Sequence, residues 1–290
     1  MFTIFGVTGN TGAVAARTLL AAGHKVRAVV RDRAKGAALE TAGAELVVAD
    51  LETGAGLDAA LAGAAGAYTL SPPAPQATEF VARGRRIADH LATAIARAKV
   101  PHVVHLSSVA AHEPSGTGPI VTAYNAEQRF RAVEGTRFTF LRAAYFMDNL
   151  GGFAHPMKQD GVLPVFGGGE SYPFAMVSTL DIGRVAAEAL LAPPSGPAPE
   201  IIELSGPREY SMADGAAAAS ELLRRPVTAT ALPLEAMPGA LAAVGMSTDM
   251  ARLYTEMTAA LGTGKIRFDG AGRSVRGTVT LIDALRPLLA

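Results

Sequence analysis

Phe2-Thr-Ile-Phe5 runs directly into Gly6-Val-Thr-Gly9-Asn-Thr-Gly12, and Ala13 to Ala22 follows as an Ala- and Leu-rich stretch. Strand, glycine turn, helix is the order in which a glycine triplet becomes a phosphate-binding fingerprint. Gly6 permits the tight turn, Gly9 a close approach of backbone to pyrophosphate, and Gly12 close helix–strand packing. Thr8, Asn10 and Thr11 lie between them, at the end of the helix where free N–H groups and the positive end of the dipole favour an anion. The spacing is G-x-x-G-x-x-G, one place longer at its start than the common G-x-G-x-x-G.

Outward from this stretch the chain alternates. Lys25–Val30, Glu45–Ala49, Gly66–Leu70, His102–Ser107 and Arg137–Leu141 are short apolar strands, separated by helical stretches at about 34–42 and 76–99. The long helix carries Phe80, Ile87, Leu91 and Ile95 at steps of three, four and seven. Strands alternating with helices imply a parallel sheet covered on both faces, wound right-handedly. The expected fold class is therefore α/β, a Rossmann-type doubly wound parallel sheet. Residues 1–150 are assigned to this dinucleotide-binding domain, and 151–290 mainly to a smaller, substrate-covering C-terminal domain. Segments near 174–205 are expected to return to the first unit, with Glu200–Leu204 as a strand. Ser178…Asp181 and Ser211…Asp214 each predict a helix start resembling a capping box.

The 290 residues contain 26 Lys+Arg against 26 Asp+Glu and no cysteine. Balanced charge argues for a small-molecule substrate, with no nucleic acid or membrane partner. Lack of cysteine removes disulfides, thiolate zinc sites and thiol nucleophiles together. The apolar run Ala59–Thr78 is broken by Gly63, Gly66, Pro72, Pro73 and Pro75, so it divides into helix end, strand and loop. A strand beginning at Phe2 leaves no place for a leader, and the expected location is the cytoplasm. His102 and His105 stand three apart on a strand and face opposite sides. His112 and His155 read as exposed loop residues, and no metal is expected.

Taken together, Gly6–Gly12, Val30–Lys35, Val48–Leu51, Phe140–Arg142, Phe146–Asn149, Phe174–Ile182, Ser205–Pro207 and Arg276-Gly277 resemble the NmrA-like family, an atypical branch of the short-chain dehydrogenase/reductases. The family includes NADPH-dependent quinone oxidoreductases, isoflavone-reductase-like enzymes and dinucleotide-binding regulators. The resemblance implies NADP(H) as cofactor, an Arg at position 31 as its determinant, and Asp50 and Leu51 beside the adenine. From the residues themselves, the apolar strand ends at Val30, which puts Arg31 at the adenosine ribose with Arg33 and Lys35 nearby. A guanidinium pairs bidentately with a 2′-phosphate. Asp32 stands where a carboxylate takes the ribose hydroxyls of NAD(H), the alternative cofactor.

Ser71-Pro72 and Ser107-Ser108 end the fourth and fifth strands and are placed along the cofactor. Tyr124 follows Ser108 at a distance suited to acid catalysis, but position 128 holds Gln where a short-chain dehydrogenase carries Lys. Tyr124 and Ser108 are the catalytic candidates. Tyr145 is assigned to the cofactor, and Phe146, Phe153 and Phe166 to the substrate, within an apolar group that also includes Met147, Met157 and Tyr172. The expected activity is NADPH-dependent hydride transfer to a small, largely apolar conjugated acceptor such as a quinone, enone or imine. The alternative is a non-catalytic NADP(H)-binding redox sensor or regulator.

Overall fold

The first half of the chain alternates strand and helix without a break, in a computed structural model that describes residues 1–196 and 198–290. In order come β1 (Phe2–Ile4), α1 (Asn10–Ala21), β2 (Val26–Val30), α2 (Ala37–Thr41), β3 (Glu45–Val48), α3 (Leu57–Leu61) and β4 (Gly66–Thr69). Then follow α4 (Phe80–Ala98), β5 (His102–Ser108), α5 (Val121–Arg131), β6 (Arg137–Ala143) and β7 (Tyr145–Phe146). The second half contains α6 (Ala154–Gln159), β8 (Val162–Phe166), β9 (Phe174–Val177), α7 (Thr179–Leu191), β10 (Glu200–Ser205), β11 (Glu209–Tyr210) and α8 (Met212–Leu223). It closes with β12 (Thr228–Leu232), α9 (Met237–Ala243), α10 (Thr248–Gly262), β13 (Arg273–Arg276) and α11 (Leu281–Leu289).

One eight-stranded sheet has the order β13-β10-β6-β5-β4-β1-β2-β3, and every neighbouring pair in it is parallel. Its order reverses between β1 and β4, so the connections leave on opposite faces there and open a crevice at the carboxyl ends. One face buries Ala15, Ala16 and Leu19 of α1 with Ile182, Val185 and Leu190 of α7. The other buries Leu57 and Leu61 of α3, Ile87, Leu91 and Ile95 of α4, and Phe130 of α5. A separate core joins Met147, Leu163, Met176, Tyr210, Leu281 and Leu285. No helix among the described residues is long and apolar enough to cross a membrane.

Three local departures from the sequence expectation have identifiable causes. The stretch at 34–42 splits into a 3₁₀ turn, Arg33–Gly36, and α2, because the Asp32 carboxylate accepts the Ala34 N–H at 3.0 Å and starts a tighter turn. The pattern at 76–99 becomes helical only at Phe80, whose N–H donates to Asp249 Oδ2 at 2.9 Å. That cap comes from α10, 169 residues away, and no local signal announces it. Ser211 and Asp214 form the reciprocal capping box, but Ser178 caps α7 alone. Asp181 is buried instead and accepts the Val279 N–H at 2.9 Å, tying the closing segment to α7.

Residues 200–205 do join the large sheet, whereas 174–177 pair with β7 and β11 in a three-stranded sheet. The edge strand β13 was not expected from Arg273-Ser-Val-Arg276, a polar segment with no apolar run.

His102 and His105 lie on opposite faces of β5, as their spacing requires. His102 Nε2 is 3.0 Å from Thr139 Oγ1, and His105 Nδ1 is 2.9 Å from Thr69 Oγ1 with its ring against Phe130. Burial pushes their pKa values down to about 4 and about 3. Because the folded values lie below the ordinary unfolded one, about 6.5, their contribution to stability is complete above that pH and is lost as the pH falls towards 4 and below. Each histidine gives a slope of up to about 1.4 kcal/mol per pH unit. Urea unfolding between pH 7.5 and 4.5 is expected to show this loss, and His105→Asn to make it shallower. An unchanged slope in the variant would contradict the assignment.

Candidate functional site

At the crevice, Gly6 has φ +67°, and a β-carbon there would come within 2.5 Å of Leu70 Cδ2. A β-carbon on Gly12 would lie 2.5 Å from the carbonyl oxygens of both Phe5 and Gly6, so α1 abuts the end of β1. Gly9 is the N-cap of α1, with no side-chain cap and no acidic residue in the first turn. A β-carbon on Gly9 would meet only Gly6 O, at 3.4 Å. The Gly9 N–H is committed to Gly6 O at 2.9 Å, and the N–H groups of Asn10, Thr11 and Gly12 are left without an intrahelical acceptor. This donor set fits the pyrophosphate of a dinucleotide.

Thr8 and Asn10 are exposed around the cradle, while Thr11 is buried and its hydroxyl accepts the Tyr68 hydroxyl proton at 2.9 Å. The Thr11 side chain thus faces the core and its carbonyl faces α7, so only its N–H is available to the crevice. At the end of β4 the Ser71 hydroxyl oxygen is buried without a hydrogen-bond partner among the described residues. An orphaned hydroxyl beside the cradle suits a ligand hydroxyl or phosphate oxygen.

Next to the cradle, the end of β2 is where the sequence leads one to expect the adenosine. The strand ends at Val30, and Arg31 is the next residue, exposed and without an ion pair among the described residues. Asp32 is occupied by its cap on Ala34. Arg33 pairs with Glu40 and reaches Leu46 O, which turns it away, and Lys35 is exposed on the same 3₁₀ turn. Asp50 Oδ1 accepts the Glu52 N–H at 2.7 Å, and the Leu51 carbonyl oxygen lies 3.0 Å from His90 Nδ1. A cleft of about 440 Å³ opens beside Arg31, walled by the loop from Pro72 to Glu79 and the first turns of α4.

Past β5 the sheet carries a buried polar network that the sequence reading did not assemble. Ser107 Oγ donates to Glu127 Oε1 at 2.6 Å. Arg142 grips the same carboxylate with two parallel bonds of 2.9 and 2.8 Å, and its third nitrogen reaches Asp269 at 3.1 and 3.2 Å. Glu203 lies beside Asp269; burial and a hydrogen bond to Asp269 push its pKa up. Burial also opposes the Asp269 charge, yet the Ala271 N–H and Arg142 hold that pKa below its ordinary value. Ser107 is thereby turned into the protein, and Ser108 is the half-buried serine at the strand end. His112, expected as an exposed loop residue, is half-buried, 3.5 Å from both Asp269 and Glu113; His155 is exposed as expected but stands in the first turn of α6, not on a loop. A legible signal existed, since Arg142 is a lone charge in the apolar run Phe138–Ala144.

Tyr124 stands one turn before Glu127 on α5, half-buried, with no hydrogen bond from its hydroxyl among the described residues. Tyr145 of β7 meets Phe174 edge-on at 5.5 Å and faces Tyr254 of α10; burial first, then that neighbour, pushes its pKa up to about 12. Phe146 packs against the first core and Phe153 against the separate C-terminal core, while Phe166 is half-buried at the end of β8. Met147 and Met157 are fully buried in that C-terminal core, and Tyr172 is exposed. Among the described residues no three His, Cys, Asp or Glu side chains are placed to share a metal ion.

A model of the NmrA-like family matches residues 1–266. The chain belongs to that family. Among relatives of this NmrA-like protein, the NAD(P)H azoreductase of Xenophilus azovorans is 30% identical over 261 residues, 89% of this chain and 86% of that protein. In structure it resembles an NADPH-dependent quinone oxidoreductase of Escherichia coli solved with NADPH, with a TM-score of 0.81 at 22% identity over 100% of both chains. It also resembles the triphenylmethane reductase of Citrobacter sp. solved with NADP(H), with a TM-score of 0.79 at 20% identity over 100% of both chains.

The buried Glu127–Arg142 pair yields a stability prediction. Removing one member of such a pair costs about 3–5 kcal/mol when the charge left behind is uncompensated. Glu127→Ala takes two bonds from Arg142 but leaves it Asp269, so a loss at or somewhat below the lower end of that range is expected in urea unfolding. A loss below about 1 kcal/mol would show that Asp269 and solvent together satisfy Arg142 without the carboxylate.

Proposed function

We propose that the protein is an NADPH-dependent oxidoreductase that delivers hydride to a small, largely apolar conjugated acceptor such as a quinone, enone, imine or related dye. The observation that carries this reading is the first turn of α1 without a side-chain cap, together with an Arg31 that has no ion pair among the described residues and Asp32 withdrawn into its own cap. The azoreductase, quinone oxidoreductase and dye reductase among the relatives point the same way. NADP(H) is the cofactor on this reading, with NAD(H) the weaker ligand, and the cytoplasm is the compartment that supplies both.

When bound, the dinucleotide supplies the hydride. The N–H groups of residues 10–12 would hold its pyrophosphate, Arg31 its 2′-phosphate, Asp50 and Leu51 its adenine, and Ser71, Pro72 and Ser108 its nicotinamide side. Tyr145 would close the nicotinamide end, with Phe146 and Phe166 towards the acceptor. Glu127 and Arg142 hold Ser107 and the end of β5 in place. Ser108 and Tyr124 are the hydroxyls assigned to hydrogen-bond the acceptor as it gains negative charge. An electron-poor acceptor needs little more than proximity and orientation, with water as the proton source. This agrees with Gln128 in place of a lysine that would acidify the phenol.

The direct test is NADPH oxidation across a panel of quinones, enones, imines and azo dyes. Turnover with at least one class is expected. Tight NADPH binding without turnover would replace the proposal by a redox sensor, which Gln128 also favours. Tyr124→Phe is expected to lower kcat with a quinone by about tenfold or less, the worth of one hydrogen bond. A loss on the order of 10²–10⁴ would instead make Tyr124 an obligatory general acid. For Arg31→Ala, a charge-assisted contact of roughly 1.5–3 kcal/mol predicts NADPH binding weaker by about ten- to a hundredfold. NADH binding should stay nearly unchanged; equal losses for both would assign Arg31 to adenine or to the fold.

A further inference from the structure

The cleft beside Arg31 contains more charge than the fingerprint requires. Its walls include Arg31, Glu52, Arg83 and Arg86, with Glu79 at the start of α4. Arg83 is only 6% exposed. It donates to Pro72 O at 2.9 Å and to Glu52 Oε1 at 2.7 Å. A buried guanidinium must keep an anionic or carbonyl partner, and Glu52 is its sole carboxylate among the described residues. The Glu52 side chain is itself 45% exposed, so it fills this role from the solvent side of the cleft. Arg31 and Arg86 line the same cleft without ion pairs among the described residues. The hydrogen bond from Arg83, opposed by burial and aided by the charges of Arg83 and Arg31, holds the Glu52 carboxyl below the ordinary range. It is therefore ionised wherever the protein works.

We infer that Glu52 tunes cofactor selectivity, its carboxylate occupying the anion position between Arg31 and Arg83 and competing there with the phosphate that distinguishes NADPH from NADH. This rests on the cofactor reading above. Arg33 is bound to Glu40, and Lys35 does not line the cleft, so neither offsets that competition from the 3₁₀ turn. Arg86 is the further cation on the opposite wall and adds to the attraction. Selectivity then follows from the balance of three guanidiniums against two carboxylates, of which Glu52 is the one bound to Arg83, and wild type is expected to bind both dinucleotides with a moderate preference for NADPH.

Glu52→Gln separates the two roles of this side chain, since the amide oxygen still accepts from Arg83 while the charge is gone. The chain has no tryptophan, so the fluorescence of the reduced cofactors can be titrated directly. Adenosine 2′,5′-bisphosphate, measured by calorimetry, probes the adenosine end alone. Glu52→Gln is expected to tighten NADPH and the bisphosphate by about three- to tenfold, the effect of removing one like charge beside a solvent-facing phosphate. NADH should move by less than about twofold. Arg86→Ala should loosen NADPH and the bisphosphate several-fold and spare NADH. An unchanged NADPH-to-NADH ratio in Glu52→Gln, or a loss for both cofactors, would overturn the inference and leave Glu52 as a prop for Arg83. Wild type that binds neither dinucleotide would instead overturn the cofactor reading itself.

Discussion

The close approach of α1 to the end of β1 is the constraint on which the rest of the site depends. A β-carbon at Gly12 would collide with two main-chain carbonyls, and backbone atoms cannot yield as a flexible side chain can. On its outer side α1 is met by α7, where a β-carbon on Gly183 would lie 2.6 Å from Thr11 O. The helix is held from both sides with almost no intervening side chain. Its first turn is thus fixed in direction before any ligand arrives. Because β1 and β4 send their connections to opposite faces, that turn points into an open crevice. A rigid, uncapped donor array costs little reorganisation on binding, and preorganisation of this kind favours affinity.

At the other end of the crevice the same rigidity is achieved with charge. Glu127, Arg142, Asp269 and Glu203 come from α5, β6, the segment before β13, and β10, and their mutual bonds tie four parts of the chain together. Isolated, any one of these charges would be costly to bury. Joined, each finds its counter-charge or a shared proton, and Ser107 is drawn into the same set. Asp148 and Asp181 work similarly on α7: the former accepts the Thr179 N–H at 3.0 Å, and the latter holds Val279. Asp148, in the Phe146–Asn149 segment, therefore has an evident structural role, in capping a helix that covers the sheet.

How far the sequence carried depended on how local the cause was. Strand, glycine turn and helix are contiguous, so the cradle, the parallel sheet and the end of β2 at Val30 were legible from residue order alone. The start of α4 was not, because its cap is Asp249, and neither was β13, a polar edge strand selected by its partner rather than by its own residues. The same rule divides the site. Arg31 follows from a strand boundary, whereas Arg83 gains meaning only when α4 swings it onto Glu52, 31 residues earlier. Arg142 belongs to the contiguous Phe140–Arg142 stretch, but Asp269, 127 residues later, gives it its place. Phe153, Met147 and Met157, counted with the apolar group at the cleft, lie in the C-terminal core, since apolar composition does not distinguish a ligand-facing ring from a packed one.

The central claim is that the crevice holds a dinucleotide in a position from which hydride can leave. A crystal structure of the NADPH complex tests it most directly. The account predicts pyrophosphate on the N–H groups of residues 10–12, the 2′-phosphate against Arg31, and a nicotinamide near Tyr145 with one face open to the acceptor. A nicotinamide with both faces covered by Tyr145 and Tyr254, or a ribose turned away from Arg31, would contradict it.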